Sequence, residues 1–222
     1  YDLIAQKGYK QDGQTPNGQM INARQIMFSV AVKGITQQKV FENRSKLIEF
    51  FSLFSNISCV YTNDYTTKNF TCRVDQTPKF NETGSTSLIY QNCSVGLLCD
   101  DPFLYANEAY IAGLLYNTNN TVNTSTQYKT PPKYTIWGNL VNPKIENLTT
   151  GNFIKVMATV VDRMFVYTDY RNKKATTLSG TKLTVDVNST FFHLDKEQVL
   201  RLSGDSGSGS LEVHWADRFL GV

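Results

Sequence analysis

Apolar residues alternate with polar ones along Ile26 to Lys33, putting Met27, Ser29 and Ala31 on one face of a strand and Ile26, Phe28, Val30 and Val32 on the other. Gly34 ends that strand, and Thr36 is placed to cap a helix from Gln38 to Phe54. Val40, Phe41, Leu47, Ile48, Phe51 and Phe54 form its apolar arc, with Arg44 intruding. Ile57 to Thr62 and Asn69 to Val74 read as a hairpin about a turn at Tyr65-Thr66-Thr67-Lys68, and Thr86 to Gln91 as a further strand. Asp101-Pro102 is a helix-start signal, and Phe103, Leu104, Tyr110, Ile111, Leu114 and Leu115 then recur at helical spacing to about Tyr116, with Asn107 on the same face. Asn117 to Pro132 reads as a loop and Lys133 to Val141 as a strand.

Beyond Asn152 the pattern is of strands alone: Phe153 to Tyr167, bent at Asp162-Arg163, then Thr181 to Asn188, Gln198 to Leu202 and Leu211 to Trp215. Leu183, Val185 and Val187 share one face of the second of these. The predicted fold class is therefore α+β, a ferredoxin-like split βαβ plait followed by a mostly antiparallel β region. It divides into a polar N-terminal arm over 1–25, an α+β domain over 26–145 and a β-rich domain over 146–222. Four strands make an incomplete sandwich, so the sheet holding Val213, Trp215 and Phe219 is expected to be completed from outside the chain.

Between the middle strands of the plait stands Gly84-Ser85-Thr86-Ser87-Leu88-Ile89-Tyr90. A plait with Gly-Ser followed by an alternating strand resembles the SEA-type extracellular domains, and the resemblance covers residues 26–141. It implies an N-glycosylated ectodomain. In some members the serine hydroxyl attacks the Gly-Ser bond, but Thr86-Ser87 replaces the usual hydrophobic β-branched residues.

Composition sharpens the setting. Apolar content of 41% excludes a disordered chain, and a net charge of +3 with scattered Lys and Arg implies neither nucleic acid nor an anionic membrane. No stretch is long and apolar enough to span a bilayer, so a membrane is reached only through an anchor outside this sequence, which reads as a trimmed ectodomain or fragment. Cys59, Cys72, Cys93 and Cys99 are even in number and closely grouped, as in a secreted disulfide framework. Cys59 and Cys72 sit symmetrically about the hairpin turn, which leaves Cys93 to pair with Cys99. Nine Asn-x-Ser/Thr sequons, at Asn43, Asn56, Asn69, Asn81, Asn92, Asn119, Asn123, Asn147 and Asn188, compare with roughly three from chance placement. They suggest N-linked glycans, most expected at Asn119, Asn123, Asn147 and Asn188 and least at Asn43; a biased Asn- and Thr-rich composition is the alternative.

Chemistry is sparse. Gly204-Asp205-Ser206-Gly207 matches the nucleophile segment of chymotrypsin-like proteases, but His193 lies close upstream and His214 follows, so no base histidine stands where that mechanism needs one. Ser208-Gly209-Ser210 reads as a flexible linker or hairpin loop. Asp162, Asp169 and Asp186 are too dispersed for a calcium site, and the cysteine spacings do not suit zinc. No catalytic residue, metal ligand or cofactor is assigned. The sequence points to a non-enzymatic module of a secreted or surface glycoprotein, extracellular or on a cell or virion surface, whose partners are other protein chains, copies of itself among the candidates, in a coat or filament. The alternative is a secreted hydrolase with an unrecognised active site.

Overall fold

The computed structural model describes residues 2–6, 15–52, 56–80, 89–106 and 110–221. Two compact units divide the chain, 1–103 and 104–222, whereas the sequence had suggested a boundary at 145/146.

In the first unit β1 (Asp2–Gln6) and β2 (Thr15–Met20) form an antiparallel pair. β3 (Arg24–Lys33) is followed by α1 (Gln37–Phe50), β4 (Asn56–Thr62), β5 (Thr67–Phe80) and β6 (Tyr90–Cys99). Their antiparallel order is β4, β5, β6, β3. Thr36 caps α1 as expected, its Oγ1 accepting from the Lys39 N–H at 3.2 Å. Val40, Leu47 and Phe51 turn inward, and Leu47 and Phe51 pack against a core of Cys72, Val74, Cys93, Val95, Leu97 and Cys99. Arg44 belongs to that inward face. Its guanidinium lies 4.3 Å from the Phe80 ring centroid, so an apparent intruder is stacked on an aromatic.

The second unit contains β7 (Leu104–Ala106), β8 (Tyr110–Leu115), β9 (Asn120–Asn123), β10 (Lys133–Val141), β11 (Lys144–Asn147), β12 (Phe153–Lys155) and β13 (Thr159–Val160). β14 (Arg163–Tyr167), β15 (Lys174–Thr177), β16 (Lys182–Leu183), β17 (Glu197–Ser203), β18 (Ser206–Trp215) and β19 (Arg218–Phe219) complete it. A seven-stranded sheet runs β16-β15-β14-β10-β18-β8 with β13 also on β10; a four-stranded sheet runs β12-β11-β17-β9. The two enclose one core containing Tyr134, Ile136, Ile145, Met164, Leu200 and Leu211. β19 pairs with β7.

The molecule is thus mainly β with one short helix among the described residues, and the α+β plait does not form. The expected helix from Pro102 to Tyr116 is extended instead. Asp101 does cap a turn, accepting from the Phe103 N–H at 3.1 Å, but β8 then pairs with β18 from Tyr110↔Trp215 to Leu115↔Ser210. Gly113 inside a helix would cost about 1 kcal/mol relative to Ala, while a sheet rewards Tyr and Ile, so the long-range ladder overrides the local period. Asn107 lies outside the described residues, as do Gly84 to Leu88.

The long strand expected at Phe153 to Tyr167 is three strands in two sheets, with Met157 and Ala158 carrying the crossing. The alternation of Leu183, Val185 and Val187 also misleads. Asp186 closes a turn, accepting from the Asn188 N–H at 2.8 Å, and Val187 is 93% exposed. The sandwich needs no outside completion at β18: Val213 and Trp215 are buried by this chain's own residues.

The cysteines are corrected too. All four are free thiols. Asn63 sets the hairpin register, its Oδ1 accepting from the Tyr65 and Thr66 N–H groups at 3.0 and 2.8 Å, which moves the turn to Asn63–Thr66. Cys59 therefore faces Phe70, and Cys72 faces Ile57. Cys93 and Cys99 lie on the same strand, β6, six residues apart and about 20 Å in extended chain, beyond the reach of a disulfide. Burial pushes the Cys59, Cys72 and Cys93 thiols up, most strongly Cys72, so they are poor nucleophiles. A thiol-reactive chromogenic disulfide is expected to react slowly with the native protein, through half-buried Cys59 first, and to count four thiols once it is unfolded. Linked cysteine peptides in a non-reducing digest would contradict this.

Candidate functional site

The protease-like segment is structural. Gly204 and Asp205 lead from β17 into β18, where Ser206 begins the strand. Asp205 accepts from Asn142 Nδ2 at 2.8 Å and Lys155 Nζ at 2.9 Å, and these donors hold its carboxyl below the ordinary value. His193 Nε2 lies 3.3 Å from the Thr168 carbonyl, and His214 Nε2 lies 3.3 Å from Glu212. Neither histidine is engaged with Ser206. Ser208-Gly209-Ser210, read as a flexible loop, is strand paired with Asn139, Gly138 and Trp137. Among the described residues no three His, Cys, Asp or Glu side chains are grouped to hold a metal.

His193 has a structural consequence instead. Burial depresses its pKa below 6.5, against the opposing pull of the Thr168 carbonyl. Between that depressed value and the ordinary one the unfolded chain binds the extra proton, so stability falls as pH drops below about 6.5. Denaturant titrations from about pH 6.5 to 5 are expected to show this slope, and His193→Gln to flatten it.

The sequons scatter over the molecule. Asn56, Asn92, Asn119, Asn123 and Asn188 are exposed, Asn69 is half-buried in β5, and Asn81 lies outside the described residues. Asn43 donates its Nδ2 to the Lys33 carbonyl at 2.8 Å. Asn147, one of the asparagines expected to carry a glycan, is fully buried: Nδ2 donates to Gln198 Oε1 at 2.8 Å, and Oδ1 accepts from the Thr149 and Thr150 N–H groups at 3.1 and 3.2 Å. No glycan fits on that nitrogen.

The feature of the first unit that asks for a partner is apolar. Among the described residues six form its fully buried cluster, against nineteen in the second unit. On α1, Phe41, Ile48 and Phe50 are 54%, 46% and 66% exposed. Met27 and Phe28 on β3 and Ile35 before the helix are also exposed. A shallow groove of about 630 Å³ lies beside them, lined by Lys33, Gly34, Ile35, Ile89 and Tyr90. β3 ends the strand order, with β6 its one ladder partner among the described residues. An apolar helix stripe thus stands beside a strand edge that pairs with no other strand among the described residues. The sequence assigned Phe41 and Ile48 to the core; the arc from position 40 to 51 was broad enough to hold two stripes, inward Val40-Arg44-Leu47-Phe51 and outward Phe41-Ile48.

A family model, siphovirus-type tail component, C-terminal domain (SPP1 Dit), matches residues 125–219. The fold is similar to the crystal structure of the SPP1 Dit (gp 19.1) protein, termed a paradigm of the hub adsorption apparatus in Gram-positive infecting phages. That likeness has a TM-score of 0.78 at 13% identity, covering 99% of this chain and 88% of that one. The phage P2 baseplate in its activated conformation with Ca contains a chain similar with a TM-score of 0.50 at 10% identity, again covering 99% and 88%. At these identities the likeness shows the fold. No curated protein matches the chain in sequence.

These matches overturn the SEA-type resemblance, whose plait is absent. They also overturn the secreted, disulfide-clamped glycoprotein: the matched family is a viral tail component and the thiols are free, and nothing in the match supports glycosylation. A non-enzymatic structural protein is what the family match over 125–219 and the fold support. Of the locations the sequence allowed, the virion is the one supported.

Proposed function

We propose that this chain is a hub subunit of a siphovirus-type tail baseplate, in which copies join through the first unit and other tail proteins attach around them. The observation that carries this reading is the family match over 125–219, on a chain whose whole fold follows that of the SPP1 Dit protein. The exposed stripe of α1 and the edge of β3, which pairs with no further strand among the described residues, support the first unit as the joining surface, because a repeated heterologous contact closes a ring when its rotation permits. The second unit suits a rigid platform, since its own two sheets bury its core.

Native mass spectrometry of the purified chain tests this. A single closed oligomer, persisting at micromolar concentration, is the expected spectrum. A monomer at every concentration would remove self-assembly from the reading.

A further inference from the structure

The outer face of the seven-stranded sheet is roofed by its own side chains. On β10, Tyr134 and Ile136 point into the core while Lys133, Thr135 and Trp137 point outward. Register sets Lys133 opposite Tyr167, Thr135 opposite Phe165 and Trp137 opposite Arg163, and on the next strand Lys174 opposite Tyr167. Cations and rings then interleave. The Arg163 guanidinium lies 4.3 Å from the Trp137 ring centroid, Lys133 Nζ lies 4.6 Å from that of Phe165, and Lys174 Nζ lies 5.2 Å from that of Tyr167. Thr135 and Thr176 beneath them are 3% and 5% exposed.

Lys182, opposite Thr176, adds a fourth cation, against Glu212, whose carboxylate lies 3.3 Å from His214 Nε2. None of the four cations has an ion-pair partner among the described residues. Trp137 Nε1–H and Arg163 Nε–H also lack acceptors. At the Arg163 end the face meets a cavity of about 480 Å³. Buried Val160 and Met164 line it with Leu183, exposed Val161 and Leu178 (77% and 53%) extend the apolar lining, and Asp162 and Arg163 stand in its wall.

We propose that this face docks an acidic segment of a second protein, whose carboxylates meet Lys133, Arg163, Lys174 and Lys182 and whose apolar side chain enters the cavity. The proposal is independent of the hub reading. Charge alone would admit an anionic polysaccharide as well, but two observations favour protein. Stacking a sugar needs a bare ring face, and here cations already sit over the rings; an apolar cavity beside the cations suits a side chain that polysaccharides lack. Tyr, Trp and Arg in one row are also the residues that dominate protein–protein binding energy.

The test uses the purified chain and a random glutamate–tyrosine copolymer, followed by tryptophan fluorescence. The chain has two tryptophans, and Trp215 is buried, so Trp137 reports on the face. Saturable, salt-sensitive quenching is expected, with affinity at least tenfold lower in Lys133→Glu/Lys174→Glu and in Leu178→Asp, and unchanged in Lys129→Glu. Lys182→Glu, at a position with no ring contact, gives a milder loss and covers the case in which the double variant misfolds. Chondroitin sulfate binding as tightly as the copolymer, affinity indifferent to these substitutions, or no binding at all would each overturn the proposal.

Discussion

Gly207→Ala is expected to cost this protein about 2–5 kcal/mol, the sum of an overpacking penalty and a left-handed backbone penalty. Gly207 has a φ of +99°, and a Cβ placed on it would lie 1.9 Å from the Asn139 carbonyl oxygen. The neighbouring Gly209 is similarly placed: its Cβ would lie 2.1 Å from the Trp137 carbonyl oxygen. These glycines let β18 lie close against the end of β10, a pairing that runs from Val141↔Ser206 to Lys133↔His214 through the middle of the seven-stranded sheet. Gly113→Ala is the matched control, since nothing lies within 4 Å of its Cβ, and its effect should stay within about 0.5 kcal/mol. Guanidinium unfolding of the three proteins compares them; equal midpoints for Gly207→Ala and the parent would show that the close approach is not required.

The second large effect concerns assembly. Phe41→Asp/Ile48→Asp is expected to convert the proposed oligomer into a monomer with its fold intact. Both side chains stand on the outward stripe of α1, so neither substitution opens the core of the first unit. Large apolar residues central to an interface are worth about 2 kcal/mol each, so losing two weakens association roughly a thousandfold. Light scattering coupled to size exclusion measures it, with circular dichroism as the check on folding. An unchanged oligomer would place the joining surface elsewhere.

Several elements were legible in the residues alone. The alternation at Ile26 to Lys33, the Thr36 cap and the β strand before Val141 are where the pattern put them, because each is set by local sequence. The failures occur where a distant partner decides. Tyr110 to Leu115 carries spacing that suits a helix, and it is a strand because β18 is beside it. The hairpin register differs from the symmetric one because a side chain, Asn63, closes the turn; Cys59 and Cys72 are then diagonal neighbours on β4 and β5, and both are free thiols. The protease reading could be set aside from sequence because Ser206, His193 and His214 lacked the order a triad needs. The exposed stripe proposed as the joining surface could not be read from sequence, since an exposed Phe41 and a buried Val40 differ by one position on the same helix.

The central claim, that this chain is built into a phage tail, is tested most directly on the particle. Gold-labelled antibodies against the chain, applied to purified virions and viewed by electron microscopy, are expected to mark the distal end of the tail. Labelling of the capsid, or particles that carry none of the chain, would contradict the account.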